Sequence, residues 1–417
     1  MNVLLKSAKI VCQDNKALHL KKRDILIKKG IIERIAANIP SASNIKEIKL
    51  KNLHVSLGWF DSSVSFGEPG YEERETIGNG LKVAAASGFT DVLLNPNTKP
   101  IPDTSSDIVF LKDRANGSAT SLYPIGSFTA NGDGIDLAEL YDMKNAGAVA
   151  FSDFKKPITN ANLLKIGLLY TQNFDGVLCS FPLNLDVKGK GIVHEGDVST
   201  SLGLKGIPSL AEELQISRDL FILEYTGGKL HIPTISTTNS VKLIANAKKK
   251  GLDVTCSVAI HNLKFTDESL QEFDSDHKVL PPLREKNDTK ALLKGLVEGT
   301  VDYVTSDHMP LDIEEKRVEF DNAAYGTIGL ETVFGSLNQL MELENTITIL
   351  TKGRERFGLE EPQLKEGAKA CLTLFDPEPE MVYTKESSLS TSKNSMFFDS
   401  ELKGKVYGII NNNQITI

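Results

Sequence analysis

The sequence predicts an α/β fold: a TIM-like (β/α)8 barrel with a small β-sandwich domain formed by both chain termini. From about residue 54 to 350, short apolar runs typical of buried strands alternate with helical stretches, as in repeated βα units. Outside this region apolar and polar residues alternate, which is typical of strands and hairpins. We therefore expect 54–350 to form the barrel, and residues 1–53 plus 351–417 to form one composite β domain.

The N-terminal segment is the first predicted part of the β domain. Residues 2–11, 24–27 and 30–35 alternate apolar and polar positions between turn-forming breaks. The C-terminus has the same texture at 370–375 and 405–410, followed by three asparagines that favour a turn. Because both ends of the chain show the same alternation of apolar and polar residues, we expect their strands to pair with each other.

The barrel strands are predicted from apolar runs of strand length. Active sites of (β/α)8 barrels lie at the C-terminal ends of the strands, so polar residues directly after these runs are candidate site residues. The runs that carry the prediction are 90–94, 148–151, 175–179, 229–232, 253–256 and 301–305.

Size, charge and cysteine usage narrow the class of protein. A chain of 417 residues can bury a large core, and a net charge of −8 argues against a nucleic-acid partner. No run of about 18 apolar residues occurs, so we expect no membrane segment and a cytoplasmic protein. The cysteines lack a CxxC spacing and are expected to be reduced and buried: Cys12, Cys179, Cys256 and Cys371.

Short motifs follow the predicted strands in a fixed order, and together they resemble dihydroorotase of the amidohydrolase superfamily over almost the whole chain. The resemblance implies an amidohydrolase-type barrel. It also implies pyrimidine biosynthesis, with zinc-activated water opening the ring amide of dihydroorotate. The motifs are Glu68-Pro69-Gly70, Gly88-Phe89-Thr90, Asn95-Pro96-Asn97-Thr98, Phe151-Ser152-Asp153, Glu195-Gly196, Ser236-Thr237, Lys278-Val279, Pro281-Pro282-Leu283-Arg284, Asp307-His308 and Gly329-Leu330-Glu331.

The metal-binding histidines that this resemblance implies are missing. Ser63 and Ser65 stand at two of these positions, and Phe181 and Thr234 at the other two. Hydroxyl groups are poor zinc ligands and phenylalanine is none, so we expect no bound metal and no cofactor. The residual candidate ligands are Asp61, Asp153 and His231, with His308 nearby.

The implied substrate contacts are also reduced. Gly67 stands where the resemblance implies an arginine that grips the substrate carboxylate, and Leu280 stands where it implies an asparagine. A charge-assisted hydrogen bond contributes about 1.5 to 3 kcal/mol, so we expect weak binding of dihydroorotate. Asp307 matches the family's proton shuttle and is the one candidate catalytic residue. The substrate-binding positions that remain are Asn97, Ala324 and Gly326.

Our leading hypothesis from the sequence is a catalytically inactive dihydroorotase-like protein. The resemblance implies a partner, since dihydroorotase-like chains of some bacteria assemble with aspartate carbamoyltransferase, and we also expect a homo-oligomer. A folded barrel can keep an interface after its site has decayed. The sequence thus favours a structural or regulatory role.

Three alternatives stay open. The first is an active dihydroorotase, or another cyclic-amide hydrolase, with a rearranged and zinc-dependent site. The second is a small-molecule sensor that uses an emptied, more apolar pocket. The third is a serine nucleophile at Ser63 or Ser65, assisted by His231 or His308 and Asp307, which is disfavoured because no Gly-x-Ser-x-Gly elbow occurs.

Overall fold

The computed structural model describes residues 1–417, and its strands form two large sheets and one small one. The strands are β1 Asn2–Ile10, β2 Lys22–Lys28, β3 Ile31–Ala36, β4 Lys46–Ile48, β5 His54–Leu57, β6 Trp59–Val64, β7 Phe89–Leu94, β8 Ser121–Gly126, β9 Ala150–Phe151, β10 Val177–Cys179, β11 Val193–His194, β12 Gly206–Ile207, β13 Lys229–Ile232, β14 Val254–Ala259, β15 Tyr303–Thr305, β16 Leu372–Val382, β17 Glu401–Asn411 and β18 Gln414–Thr416.

Helices follow most of the central strands, as crossovers between parallel strands require. None of them has both the length and the apolar composition needed to cross a membrane. The α-helices are α1 Ile77–Ala86, α2 Ser105–Ala115, α3 Leu140–Ala146, α4 Ala161–Thr171, α5 Leu185–Lys188, α6 Asp197–Leu202, α7 Leu210–Thr226, α8 Thr238–Lys249, α9 Ile260–Lys264, α10 Lys286–Val297, α11 Ile313–Lys316, α12 Val333–Leu340 and α13 Leu343–Thr351. Short 3-10 helices are Ala130–Gly132, Gln172–Phe174, Asp267–Leu270, Ser275–His277, Leu330–Thr332 and Glu355–Phe357.

Eight parallel strands form a nearly closed barrel, which confirms the predicted fold class. Their order around the barrel is β6, β7, β8, β9, β10, β13, β14 and β15. The first and last strands meet through a parallel bridge between Val64 and His308, and the Ser65 amide donates to the His308 carbonyl at 2.7 Å. The C-terminal ends of all eight strands therefore surround one mouth.

The two chain termini form the second large sheet, as predicted. Its main path runs β18, β17, β16, β5, β1, β2 and β3, and β4 pairs with β1. Most neighbours in this sheet are antiparallel, and β16 joins the C-terminal strands to β5. The domain bounds 1–53, 54–350 and 351–417 remain a prediction.

The barrel interior is filled below the mouth by aromatic side chains. Phe60 of β6 lies 5.9 Å from Phe357 and 6.4 Å from Tyr303, measured between ring centroids. Phe357 comes from the 3-10 helix that follows α13, so this segment plugs the N-terminal end of the barrel. Packing of this kind makes the barrel a core and not a pore.

Arg354 ties the plug segment to the first two barrel strands. Its guanidinium is buried and donates to the Asp91 carboxylate at 2.6 Å and to the carbonyl of Gly58 at 2.8 Å. Burial opposes the charge of Arg354, whereas the facing Asp91 raises the pKa of the guanidinium. This ion pair links two residues that are 263 positions apart in the chain.

We expect Arg354→Met to lower the free energy of unfolding by about 3 to 5 kcal/mol, because Asp91 would be left buried without its partner. Lys369→Met is the matched control, since Lys369 pairs with Glu360 at 3.4 Å on the exposed surface and should cost nothing measurable. Denaturant unfolding of both variants checks this expectation. Equal stability of the two variants would contradict the anchoring role of Arg354.

Candidate functional site

The barrel mouth contains a small cavity lined by residues that lie on, or shortly after, seven of the eight strands. Its volume is about 20 Å³, which is room for one or two water molecules. Pockets that hold metabolites are usually at least about 300 Å³. The polar groups that line it include Ser63, Asn95, Lys155, His231, Thr234 and Asp307.

An ion pair between Lys155 and Asp307 dominates the electrostatics of this cavity. The Lys155 Nζ lies 2.7 Å from Asp307 Oδ2; the Asp307 side chain is buried, with 3% of its surface exposed, and that of Lys155 is largely covered, with 11% exposed. Burial raises the pKa of Asp307, and the neighbouring ammonium of Lys155 opposes that rise. Lys155 therefore supplies a positive charge inside the mouth.

Serine and asparagine side chains complete the surroundings of Asp307. The Ser63 hydroxyl donates to Asp307 Oδ1 at 3.4 Å. The Asn95 amide donates to the hydroxyls of Ser63 at 3.1 Å and Ser65 at 3.2 Å. Two of the positions that the family resemblance assigns to histidine thus belong to a hydrogen-bond network that ends on Asp307.

Asp61 faces the junction of β6 and β15. Its carboxylate accepts hydrogen bonds from the Ser63 and Ser306 amides, both at 3.0 Å, and from the Thr305 hydroxyl. Burial raises the pKa of Asp61 to about 6, although each of these donors favours the charged form. The oxygens of Asp61 are therefore engaged in closing the barrel.

Asp153 turns away from the cavity into the loop that follows β8. One oxygen accepts from the Ser127 hydroxyl at 3.0 Å and from the amides of Phe128 and Thr129 at 3.0 and 2.9 Å. The other accepts from the Thr129 hydroxyl at 2.7 Å. Four donors hold this carboxylate in a structural position.

His231 lies deep in the barrel and is satisfied by side chains. Its Nδ1 lies 3.0 Å from the Thr255 hydroxyl and 3.1 Å from the Tyr303 hydroxyl, and its Nε2 lies 3.4 Å from the Ser257 hydroxyl. Burial lowers the pKa of His231 to about 3, helped by the charges of nearby cations. The imidazole is therefore neutral at physiological pH.

The two remaining replaced positions are apolar or backbone-constrained. Phe181 is buried in an apolar cluster with Leu183, Ile207 and Leu280. Thr234 is buried and holds a left-handed φ of 52°, which is uncommon for a β-branched residue. Neither position presents a group that zinc binds.

The residues of the mouth do not fit a zinc ion. A catalytic zinc site needs three protein ligands that converge on one point. No group of three or more His, Cys, Asp or Glu side chains is arranged to hold a metal ion. The residual candidates Asp61, Asp153 and His231 each face different partners.

The predicted substrate-binding residues lie outside the cavity lining. The Ala324 carbonyl accepts from Lys316 at 3.0 Å, and the Gly326 amide donates to the Lys278 carbonyl at 3.0 Å. The side-chain oxygen of Asn97 is buried and has no hydrogen-bond partner. His308 lies where the first and last barrel strands meet, and its Nδ1 accepts a hydrogen bond from the Gly329 amide at 3.2 Å. Burial lowers the pKa of His308 to about 3.

Sequence reasoning missed Lys155 as a site residue. It lies four positions after the end of β9, on the C-terminal side of a barrel strand, where side chains of such barrels reach the mouth. This position after a barrel strand was the one feature of the sequence that could have indicated Lys155 as a site residue. The pairing with Asp307 joins residues 152 positions apart, so no local pattern indicates it.

Comparisons with solved structures confirm the fold. The L-hydantoinase (dihydropyrimidinase) from Arthrobacter aurescens matches with a TM-score of 0.86 over 99% of this chain and 95% of that one, at 21% identity. The D-hydantoinase (dihydropyrimidinase) from Thermus sp. matches with a TM-score of 0.84 over 100% and 95%, at 19% identity. The chain thus has an amidohydrolase-type barrel fold.

Sequence comparisons identify the family. Residues 54–240 match the family described as Dihydro-orotase-like. The dihydroorotase of Pelotomaculum thermopropionicum is 38% identical over 98% of this chain and 97% of its own length. That of Carboxydothermus hydrogenoformans is 37% identical over 97% and 95%. The chain belongs to the dihydroorotase family.

We expect Lys155→Met to lower the free energy of unfolding by about 3 to 5 kcal/mol at neutral pH, because Asp307 loses its buried counter-charge. Without Lys155 the pKa of Asp307 rises further above its unfolded value. The carboxyl then takes up a proton as the pH falls, and the penalty shrinks. Thermal unfolding of both proteins between about pH 8 and pH 5 measures this dependence.

The double variant Lys155→Met, Asp307→Asn is the matched control. It removes both charges, so most of the lost stability should return, and its difference from the wild type should depend on pH less than that of Lys155→Met. A Lys155→Met penalty that is constant with pH would show that the side chain stabilises the mouth by packing alone.

Proposed function

We propose that this chain is a cytoplasmic, catalytically inactive member of the dihydroorotase family that binds no zinc. In this proposal it acts in pyrimidine biosynthesis as a structural or regulatory partner of aspartate carbamoyltransferase. The observation that carries the first part is the buried ion pair between Lys155 and Asp307 in a cavity of about 20 Å³.

Charge supports the proposed loss of metal binding. A divalent cation at the mouth would face the ammonium of Lys155, and like charges repel by several kcal/mol where water is excluded. Lys155 also occupies one oxygen of Asp307, the residue that the family resemblance assigns to proton transfer. In the proposed inactive protein, Lys155 holds the Asp307 carboxylate, which therefore takes no part in proton transfer.

The backbone supports the proposed loss of substrate binding. A Cβ atom added to Gly67 would lie 1.7 Å from the Tyr71 carbonyl oxygen, so no arginine fits there without a backbone shift. Leu280 packs with Phe181 in an apolar cluster. Position 67 thus has no room for a side chain and position 280 is part of an apolar cluster, so neither supports recognition of the substrate.

The proposed partner rests on the family resemblance and on the intact fold. The chain aligns with 97% of the length of the Pelotomaculum dihydroorotase, although the metal ligands that the resemblance implies are replaced. A barrel without its site chemistry can still stabilise or regulate the enzyme it binds. In pyrimidine synthesis that enzyme would be the preceding one, aspartate carbamoyltransferase.

An active dihydroorotase or related cyclic-amide hydrolase with a rearranged site is the second candidate. The observation that favours it is a relative named dihydroorotase that is 38% identical over nearly the whole chain. Asp307 also lines the mouth cavity. Such an enzyme would have to open the cavity and release Asp307 from Lys155 before dihydroorotate could enter.

A hydrolysis assay separates these two candidates. The chain is stripped of metal, resupplied with excess zinc and assayed for dihydroorotate opening and for the reverse ring closure. We expect no turnover above that of the Asp307→Ala variant, with the Pelotomaculum dihydroorotase as the positive control. Turnover that zinc restores and Asp307→Ala abolishes would establish the second candidate.

Co-purification from the native host tests the partner. We expect a tagged copy of the chain to recover aspartate carbamoyltransferase in a fixed ratio. Adding the chain should also change the thermal stability or the kinetics of the purified carbamoyltransferase. The untagged strain is the control for recovery. Absence of the enzyme from the eluate, together with unchanged carbamoyltransferase properties, would reject the partnership.

A further inference from the structure

A second and much larger cavity lies at the N-terminal end of the barrel, opposite the mouth. Its volume is about 930 Å³, and pockets that hold small ligands have volumes of about 300 to 1,000 Å³. The barrel contributes the first residues of β13, β14 and β15 together with α13, and the sheet formed by the termini contributes Leu57 and the segments 11–15 and 361–365. We call it the N-terminal cavity. It lies between two packed parts of the chain, where ligand pockets are common.

The N-terminal cavity is separate from the cavity at the mouth. Thr255 and Tyr303 line it, and their hydroxyls lie 3.0 and 3.1 Å from Nδ1 of His231. His231 in turn lines the mouth cavity. The family resemblance places the substrate at the mouth, so a ligand of the N-terminal cavity would occupy a second site.

Apolar side chains form the deep part of the N-terminal cavity. Val11, Ile347 and Leu364 line it and are buried. The exposed part of its lining is mostly polar or charged. A cavity of this kind favours a ligand with an apolar body and polar ends.

Most charged side chains of the lining already have a partner within the chain. Their pairs are Asp302 with Lys248 at 2.7 Å, Lys229 with Asp175 at 2.7 Å, Glu344 with His19 at 3.4 Å, and Arg356 with Asp253. Glu361 accepts a hydrogen bond from the Glu355 amide at 3.0 Å. These groups are therefore engaged in holding the walls of the cavity.

Four charged side chains of the lining have no partner, and both signs occur on each wall. Lys352 and Glu355 lie on the barrel side, just after α13. Asp14 and Lys365 lie on the side of the terminal sheet. A ligand that spans the cavity thus meets a free ammonium and a free carboxylate at either wall.

Arg356 adds a buried donor to these groups. Its side chain is 8% exposed, and one of its terminal nitrogens donates to the Leu230 carbonyl at 2.7 Å. Its Nε–H group is buried and has no hydrogen-bond partner. A buried donor of this kind costs free energy until an acceptor binds it, and a carboxylate oxygen is the strongest acceptor among ordinary ligand groups.

The lining disfavours two other classes of ligand. A phosphate or another pure anion would face as many free carboxylates as free ammonium groups. A nucleoside lacks an aromatic surface to stack on, because the one aromatic ring of the lining, Tyr303, already stacks on His231 with ring centroids 5.4 Å apart. What remains is a ligand that carries both charges.

We propose that the N-terminal cavity binds a zwitterionic ligand with an apolar body, the chemistry of an apolar amino acid or of a short peptide of apolar residues. The ligand carboxylate pairs with Lys352 and accepts from the Arg356 Nε–H group. The ligand ammonium pairs with a free carboxylate of the rim, and the apolar body lies on Ile347 and Leu364. This inference is independent of the proposed function, because it requires neither zinc nor carbamoyltransferase.

Calorimetric titration and thermal unfolding of the full chain with three probes test the proposal. The probes are L-leucine, the dipeptide Leu-Leu, and N-acetyl-L-leucinamide, which has the apolar body without either charge. At millimolar concentration we expect at least one zwitterionic probe to bind and to raise the melting temperature, and the uncharged probe to bind at least tenfold more weakly. Binding of leucine would identify a free amino acid as the ligand, and binding of Leu-Leu alone would identify a peptide.

Variants of the lining place the binding in this cavity. Lys352→Met should weaken binding about tenfold through the lost charge-assisted hydrogen bond, and Thr348→Trp should abolish binding by filling the space beside α13. Lys369→Met is the matched control, because Lys369 is an exposed lysine outside the lining. Circular dichroism melting checks the fold, and Lys352→Met decides alone if Thr348→Trp does not fold.

Three results would overturn the proposal. The first is that neither zwitterionic probe binds at millimolar concentration. The second is that the uncharged probe binds as tightly as the zwitterions, since the free charges would then play no part. The third is that binding is the same in Lys352→Met as in Lys369→Met, since the ligand would then lie elsewhere.

Discussion

Closure of the barrel depends on one buried carboxylate. Asp61 on the first strand accepts hydrogen bonds from the amide of Ser306 and the hydroxyl of Thr305, which follow or end the last strand. Burial favours the neutral form of Asp61 and raises its pKa to about 6, so these donors are what keep the charge tolerable there. The register of the mouth, and with it the positions of Ser63 and Asp307, follows from this junction.

Much of the fold could be predicted from local pattern, because buried parallel strands are continuous apolar runs. The run at 229–232 coincides with β13, and the run at 90–94 lies within β7. Strand β8 was not among the predicted runs, since Pro124 interrupts its sequence and proline usually argues against a strand. Pairing of the two termini followed from their shared alternation of apolar and polar residues.

The site was less predictable, because its contacts are long-range. The family resemblance placed Ser63, Thr234 and Phe181 at the mouth, and all three line the cavity. The orientation of the Asp153 side chain could not be predicted from the sequence, because it depends on amides of the β8 loop that lie 24 and 25 positions away. Lys155 was missed for the same reason, because its role exists only through a carboxylate on the opposite side of the barrel.

The proposed loss of zinc chemistry has several independent structural supports. A cation bound at the mouth would still face the ammonium of Lys155, and Asp153 would still be held by four donors from the β8 loop. An arginine at position 67, which would bind the substrate carboxylate, would still require the backbone to shift. The constraint at Gly67 lies in a different loop from those at Asp153 and Lys155, so no single reversion relieves all of them. Under the proposed function, selection on the barrel would therefore act through its fold and its outer surface.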